Sequence, residues 1–301
     1  MDDNWDRDNT SIAFQLTTFR KQNLAYNHAN KLNVHRYFRN ESPTHVFSRE
    51  CSASGHRYFL VENVSSFYHK YKQMNKGDLA FYEIFRPDFP CRLYFDIEFD
   101  QTLNPNEDGE TAMIIFRKFL IQQVRSKFGV DISQFRAHEN NAFSDHMVEL
   151  DASNSKKFSR HIIITFPGNL VFQDNAHAGR FVKLLCTEIT NSTLMHDSNN
   201  SNSMLVSDDA LPLRSLFFLK KDKDDIIKRV LFVDQGVYAP NQNYRLPLSA
   251  KFIDIGTRHF KYYIPESRQT LERSFFSEEL FNASLATYPA VQGPEELKFI
   301  T

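Results

Sequence analysis

An α+β fold built on antiparallel strands is what this sequence predicts, and three patterns carry that expectation. The run Cys91-Arg92-Leu93-Tyr94-Phe95-Asp96-Ile97-Glu98-Phe99-Asp100 alternates polar and apolar residues with the period of a half-buried strand. Residues 147–151 and 159–166 read as two further strands, joined by the polar turn Ala152-Ser153-Asn154-Ser155-Lys156-Lys157 and therefore antiparallel. Helical spacing appears between and after them, over 111–128 (Ile114, Ile115, Phe119, Val124, Phe128) and over 173–191 (Phe181, Leu184, Leu185, Ile189).

Residues 1–39 predict an N-terminal helical arm interrupted once or twice, with Ile12, Phe14, Leu16, Phe19, Leu24 and Tyr26 as its apolar positions. Arg20, Lys21, Lys31, Arg36 and Arg39 make it locally basic, as a solvated face or a phosphate contact. From His45 to Val61 two strands meet at the Ser54-Gly55 turn, with Arg57 at the hairpin's edge. Val64 to Met74 is helical, Leu79 to Phe85 returns to strand with Tyr82 and Glu83, and Pro87 and Pro90 break the chain before the central strand. Asn104-Pro105-Asn106-Glu107-Asp108-Gly109 is a turn, and Gly129 ends the helix that follows.

The Ser/Asn-rich tract Asn191 to Ser203 reads as a mobile surface loop. Beyond it, 215–219 and 230–234 are strands around a charged helix or loop over Lys220 to Lys228. Residues 236–251 form an irregular segment, and Phe260 to Ile264 is the last expected strand. The chain divides as arm (1–39), core (40–275) and C-terminal tail (276–301).

With 301 residues and 41% apolar content, the chain can bury a substantial core. Lys plus Arg (36) balances Asp plus Glu (37), so any polyanion-binding surface must be local. Cys51, Cys91 and Cys186 are dispersed, which argues against a zinc cluster or a disulfide framework and for a reducing compartment. The acidic N-terminus lacks the features of a secretory or transit peptide, and no apolar run reaches membrane-spanning length, so an intracellular protein without a membrane partner is expected.

Chemistry concentrates at three places. On a strand, Asp96 and Glu98 share one face, and two carboxylates at that spacing become favourable when a divalent cation takes oxygen ligands from both. Alternation puts Lys157, Ser159 and His161 together, a cation, a hydroxyl and an imidazole that can all donate to phosphate oxygens. Asp234 ends the apolar run Val230 to Val233 and is followed by Arg245 and Lys251. Two-metal phosphoryl transfer needs about three carboxylates with cations clamping the polyphosphate, and these are the parts.

Three motifs resemble the archaeo-eukaryotic primase superfamily, specifically its eukaryotic primase-polymerases (PrimPol): Leu93-Tyr94-Phe95-Asp96-Ile97-Glu98-Phe99, then Leu150-Asp151-Ala152-Ser153 through Lys157-Phe158-Ser159-Arg160-His161, then Phe232-Val233-Asp234-Gln235-Gly236-Val237-Tyr238 with Asn241, Asn243, Tyr244, Arg245 and Leu246. The resemblance runs from about residue 45 to 265. It implies a two-lobed core with an antiparallel sheet like that of an RNA-recognition motif carrying the metal site. It further implies that Asp96, Glu98 and Asp234 bind two Mg2+ or Mn2+ ions. Arg57, Lys157, Ser159, Arg160, His161, Asn243, Arg245 and Lys251 would attend the incoming nucleotide, with Tyr82 near its sugar.

The implied activity is template-directed DNA synthesis on a primed single-stranded template from deoxynucleoside triphosphates or ribonucleotides, in replication restart or damage tolerance, in nucleus or mitochondrion. Gln242 stands where the family commonly has Arg. The family's C-terminal zinc module and RPA-binding segment have no counterpart before Thr301, so no zinc is expected in this chain, and it should extend primers but start them poorly.

Two rival classes remain. Phe95-Asp96-Ile97-Glu98 also resembles the first motif of ribonuclease-H-like 3′–5′ exonucleases, but their further Asp and terminal Tyr-x-x-x-Asp or His-x-x-x-x-Asp helix are missing. A nucleic-acid-binding module that has lost its chemistry is disfavoured by the presence of all three carboxylates.

Overall fold

Two five-stranded antiparallel sheets carry the chain in the computed structural model, which describes residues 16–39, 44–133, 135–138, 141–144, 146–198, 212–255, 258–265, 267–271, 273–287 and 297–300. The part of the expected arm before residue 16 lies outside them. The strands are β1 (Thr17–Phe19), β2 (Thr44–Glu50), β3 (Arg57–Asn63), β4 (Phe81–Ile84), β5 (Leu93–Asp100), β6 (Phe135–His138), β7 (Asn141–Ser144), β8 (Met147–Asp151), β9 (Lys157–Ile164), β10 (Leu170–Val171), β11 (Phe217–Lys221), β12 (Ile227–Leu231), β13 (Asn243–Arg245), β14 (Lys261–Ile264), β15 (Gln269–Thr270) and β16 (Lys298–Phe299). The helices are α1 (Gln22–Arg39), α2 (Val64–Gln73), α3 (Gly109–Phe128), α4 (Asn175–Ser198) and α5 (Glu278–Ser284).

The first sheet has the order β1-β3-β2-β4-β13, and the second β15-β14-β8-β9-β5. The mixed α+β class with antiparallel sheets is thus as the sequence predicts. Beyond β5 the second sheet continues through backbone pairing with 232–234: Glu98 N–H donates to Phe232 O (2.9 Å), Asp234 N–H to Asp96 O (2.8 Å), and Ile97 bridges Val233. Counting that segment, and leaving aside the β6–β7 and β11–β12 hairpins and the short β10 that interrupt them, β5, α3, β8, β9, α4 and 232–234 have the order β-α-β-β-α-β.

Local chemistry explains the element ends. The Asp108 carboxylate caps α3 by accepting from Glu110 N–H (3.0 Å), and Gly129 closes it at φ 65°, a left-handed conformation that glycine adopts without strain. Asn63 caps α2 in the same way. The inner faces of both sheets share one core with α2, α3, α4 and α5, in which Phe47, Phe67, Phe95, Phe116 and Phe232 are buried.

Four expectations are corrected. Within the expected helical arm, Thr17–Phe19 is instead a strand paired with β3, and the helix runs unbroken over 22–39, where the small Ala25 and Ala29 let it lie on Val46, Val61 and Ile84 of the first sheet. The loop expected from Asn191 begins later, because α4 runs to Ser198; the hydroxyls of Thr187, Thr190 and Thr193 donate back to helix carbonyls, so a polar sequence still satisfies its groups in a helix. The rest of that tract lies outside the described residues. Lys220 to Lys228 is a β-hairpin whose turn is closed by the Asp222 carboxylate on the N–H groups of Asp224 and Ile226. The described part of the tail is core: Phe276, Phe281 and Leu285 are buried, and the Glu83 carboxylate accepts from Ala286 N–H and Thr287 N–H.

Candidate active site

In the register of β5 against β9, Asp96 lies opposite His161, Glu98 opposite Ser159 and Asp100 opposite Lys157. Cross-strand partners share a face, so two of the three sequence clusters meet on one surface. The third arrives through the 232–234 pairing, which sets Asp234 beside Asp96. The turn after it is anchored from behind: Asn175 donates to the Tyr238 and Ala239 carbonyls, and the Tyr238 hydroxyl donates to Tyr94 O. Gly179 permits this approach, since a Cβ there would sit 2.6 Å from Tyr238.

The Asp96 carboxyl is the electrostatic centre. Its Oδ1 is buried without a hydrogen-bond partner. Burial first, then the nearby Glu98 and Asp234 carboxylates, push its pKa up to about 7, while Arg245 and Lys157 pull it down. His161 is 2% exposed, its ring stacked on Tyr244 (4.0 Å between centroids) and against Phe260 (3.9 Å). Its Nε2 lies 3.8 Å from Asp96 Oδ1 and its Nδ1 has no partner. Burial, followed by Arg245 and Lys157, holds its pKa well below the usual histidine range, so the ring is neutral at physiological pH.

Among the described residues, no three His, Cys, Asp or Glu side chains converge as a ready-made metal site. Glu98 is turned to Lys157, and Asp234 Oδ1 accepts from Gly236 N–H (2.8 Å). Neighbouring carboxylates repel one another, and Glu98 and Asp234 are held by these other partners while Asp96 Oδ1 has none. The donor chemistry still suits a hard divalent cation: carboxylate oxygens alone, one of them orphaned.

The first sheet supplies the opposing groups. Register places Ser48 opposite Tyr82 and Tyr82 opposite Arg245, so these share the outer face of that sheet. The Arg245 guanidinium lies over Phe260 (4.8 Å) with its Nε unpartnered, and Asn243 Oδ1 accepts from the Ser48 hydroxyl (2.6 Å). Arg57 stacks on the Tyr82 ring (4.7 Å). Lys251 is exposed at the start of the Phe252–Asp254 turn.

Arg160 is placed apart from the other expected residues. Alternation turns it to the reverse face of the second sheet, where Glu149 (3.1 Å), Asp151 and Glu110 surround it and Tyr263 stacks on it (4.1 Å). A guanidinium so surrounded is a structural hub, turned away from the face that carries Asp96 and His161. Gln242 joins β13 to the loop after β4 through its backbone, accepting from Phe85 N–H (2.9 Å).

Two residues were missed. Glu50, 8% exposed, accepts from the Tyr82 hydroxyl (2.6 Å) and from Phe252 N–H (3.0 Å) and faces Arg57 at 3.6 Å, so one carboxylate orders two expected nucleotide contacts and the residue next to a third, Lys251. Its signal was the hairpin register, which sets it opposite Arg57. Arg258 donates to Ala152 O (2.8 Å) and lies close enough to Arg245, Glu98 and Asp96 to feel their charges; outside any periodic run, it gave no signal.

No family model matches the chain. It is 30% identical over 273 residues to a DNA-directed primase/polymerase protein from Danio rerio, covering 85% of this chain and 48% of that protein. The protein of the same name from Mus musculus is 27% identical over 290 residues (87% and 50%), and that from Homo sapiens 27% over 250 residues (69% and 42%). The chain is a homologue of these primase/polymerase proteins. It spans about half the length of the curated relatives it matches. From the three motifs by which the sequence resembled the primase-polymerases, Asp96 and Glu98 of β5, Ser159 and His161 of β9, and Asp234 come to one surface, while Asp151 and Arg160 of the second motif lie on the reverse face.

Proposed function

We propose that this chain is a nucleotidyltransferase that extends a nucleic-acid strand on a single-stranded DNA template, as a primase-type core. The observation that carries this reading is the orphaned, buried Asp96 oxygen, flanked by Glu98 and Asp234 and faced by Arg245, Lys157 and Arg258. The β-α-β-β-α-β connectivity of the second sheet supports a metal-bearing sheet like that of an RNA-recognition motif, and the homology supports the reaction class.

Asp96, Glu98 and Asp234 would hold Mg2+ or Mn2+. Bound there, divalent ions supply Lewis acidity to the attacking hydroxyl and charge balance to the leaving pyrophosphate. The chain's own groups bind and orient. Arg57, Arg245 and Lys251 offer cations to the triphosphate, and Lys157 is the cation that an incoming polyphosphate would draw off Glu98. Neutral His161 can donate a hydrogen bond to a phosphate oxygen without adding charge. Ser159 lies opposite Glu98 within reach of the same ligand, while Tyr82, ordered by Glu50, forms one wall with Asn243. Arg258 adds a charge to the rim.

Deoxynucleoside triphosphates are the proposed substrates, and nucleus or mitochondrion the proposed setting. The test is primer extension on a single-stranded template with Mg2+, Mn2+ or EDTA. Metal-dependent lengthening is expected, and metal-dependent shortening would move the chain to the exonucleases.

A further inference from the structure

The end of β5 that leads away from Asp96 opens, beside Glu98, into a groove of about 330 Å3. Its floor is apolar: the half-buried Leu103, Leu219 and Val230 supply the reachable surface, and the rings of Phe99, Phe218 and Phe232 that line it are themselves buried. Phe99 stacks on Phe218 with centroids 3.8 Å apart, and Phe218 on Phe232 at 5.5 Å. Lysines mark its rim, Lys156 and Lys157 on one side and Lys220 and Lys221 on the other, and the Glu98 and Asp100 carboxylates also line it. Lys157 is paired with Glu98 and Lys221 with Asp225 (2.8 Å), which leaves Lys156 and Lys220 as the cations open to a ligand.

Both walls are fastened in place. Gln101 N–H donates to Lys156 O (2.9 Å), holding the turn between β8 and β9 against the end of β5. Asn104, only 4% exposed, clamps the opposite wall: its Nδ2 donates to Leu219 O (2.9 Å) and its Oδ1 accepts from Leu219 N–H (2.8 Å). The β11–β12 hairpin is therefore fixed to the turn that follows the carboxylate strand. On that hairpin Lys220 lies directly opposite Lys228, and like charges at that position destabilise a strand pair. Asp222 takes up Lys228 at 3.0 Å, while Lys220 and Lys156 remain exposed.

An apolar floor under a rim of lysines suits a chain that is anionic along one edge and flat and apolar along the other. Single-stranded nucleic acid has that character, with phosphates for the rim and bases for the floor. A free triphosphate would engage the rim and gain nothing from the floor. The groove also shares Glu98 and Lys157 with the candidate active site, so a strand lying in it leads directly to the reacting centre.

We propose that this groove holds a single nucleic-acid strand next to the site of nucleotide addition, with Lys156 and Lys220 contacting its phosphates. The proposal rests on the nucleotidyltransferase reading for which strand lies there, while the binding itself is measurable without catalysis.

The experiment follows a short fluorescent oligothymidylate by anisotropy across a salt series, using the full chain and its Lys156→Glu/Lys220→Glu variant. Affinity is expected to fall at least tenfold. The slope of log affinity against log salt should shrink by about 0.7 for each lysine removed. Lys156→Arg/Lys220→Arg should bind as the wild type does. An unchanged affinity and slope in the Glu variant overturns the proposal, as does competition by polyglutamate as effective as that by unlabelled oligonucleotide, which would mark a general anion surface. Failure of the two readings is distinguishable: a chain that binds the oligonucleotide through these lysines yet extends no primer loses the catalytic reading alone, and one that extends primers with lysine-independent binding loses the groove alone.

Discussion

The two faces of β9 make an instructive pair. Both carry basic groups among carboxylates, and both are largely withdrawn from water. On the reverse face Arg160 has Glu149, Asp151 and Glu110 around it and the Ser153 hydroxyl at 2.8 Å, while Arg117 meets Glu149 at 2.7 Å. On the other face Asp96 Oδ1, His161 Nδ1 and Arg245 Nε are buried with no partner. Residues one position apart on a single strand therefore belong to a closed network and an open one. Folding explains the closed network; the unpaired atoms of the open one point to a role in binding, because buried polar groups are ordinarily satisfied.

Breaking the closed face should have the largest effect, and on stability. Arg160→Ala leaves Glu149, itself 3% exposed, with one fewer cation and two further carboxylates uncompensated. Loss of roughly 3–5 kcal/mol is expected in urea unfolding. A variant that melts like the wild type would show the two faces to be equivalent.

Breaking the open face should leave the fold intact and remove activity. Asp96→Ala, Glu98→Ala or Asp234→Ala is expected to slow nucleotide incorporation by about a hundredfold or more, the order seen when a preorganised electrostatic group is lost. Near-normal extension by any one of them would take that residue out of the metal set.

A middle case concerns the order that Glu50 imposes. Glu50→Gln keeps the shape but weakens the contacts to Arg57 and the Tyr82 hydroxyl, and nucleotide KM should rise, by about 1.5–3 kcal/mol in binding, with kcat changing less. A kcat loss at constant KM would place Glu50 in the chemistry instead.

The smallest effect is a pH dependence of stability. A carboxyl whose pKa rises from 3.8 to about 7 on folding binds more protons folded than unfolded across that window, so stability falls as pH rises through it and the full penalty stands above it. His161 acts in the opposite sense, losing stability as pH falls below about 6.5 because its buried ring resists protonation. In metal-free buffer Asp96→Asn should therefore be the more stable protein at neutral pH, by about 1–2 kcal/mol after allowing for solvent screening, with the gap closing toward pH 4. Mn2+ should raise Tm in the wild type more than in the variant.

The sequence made the second sheet legible because its information is local. Alternation in 91–100 and 157–164 gives the faces of β5 and β9, and the turn at 152–157 gives their neighbour. What escaped it depends on partners far along the chain. Nothing near Asp234 announces that its own N–H will bond Asp96 O, and Glu50 acquires meaning only when Tyr82 and Phe252 arrive from 32 and 202 residues away. Arg160 shows the converse limit: it belongs to the matching motif, yet strand parity sends it to the other side.

The short strand β13 couples the two sheets mechanically. Asn243 and Arg245 pair with Ile84 and Tyr82 in one sheet, while between them Tyr244 reaches the other, its hydroxyl on Phe95 O (2.8 Å) and its ring on His161. Three consecutive residues thus act as a tie rod of fixed length. The spacing between the carboxylates on one sheet and the guanidinium on the other is held by that hydrogen bond and ring stack, so the sheets cannot part there without unseating Tyr244.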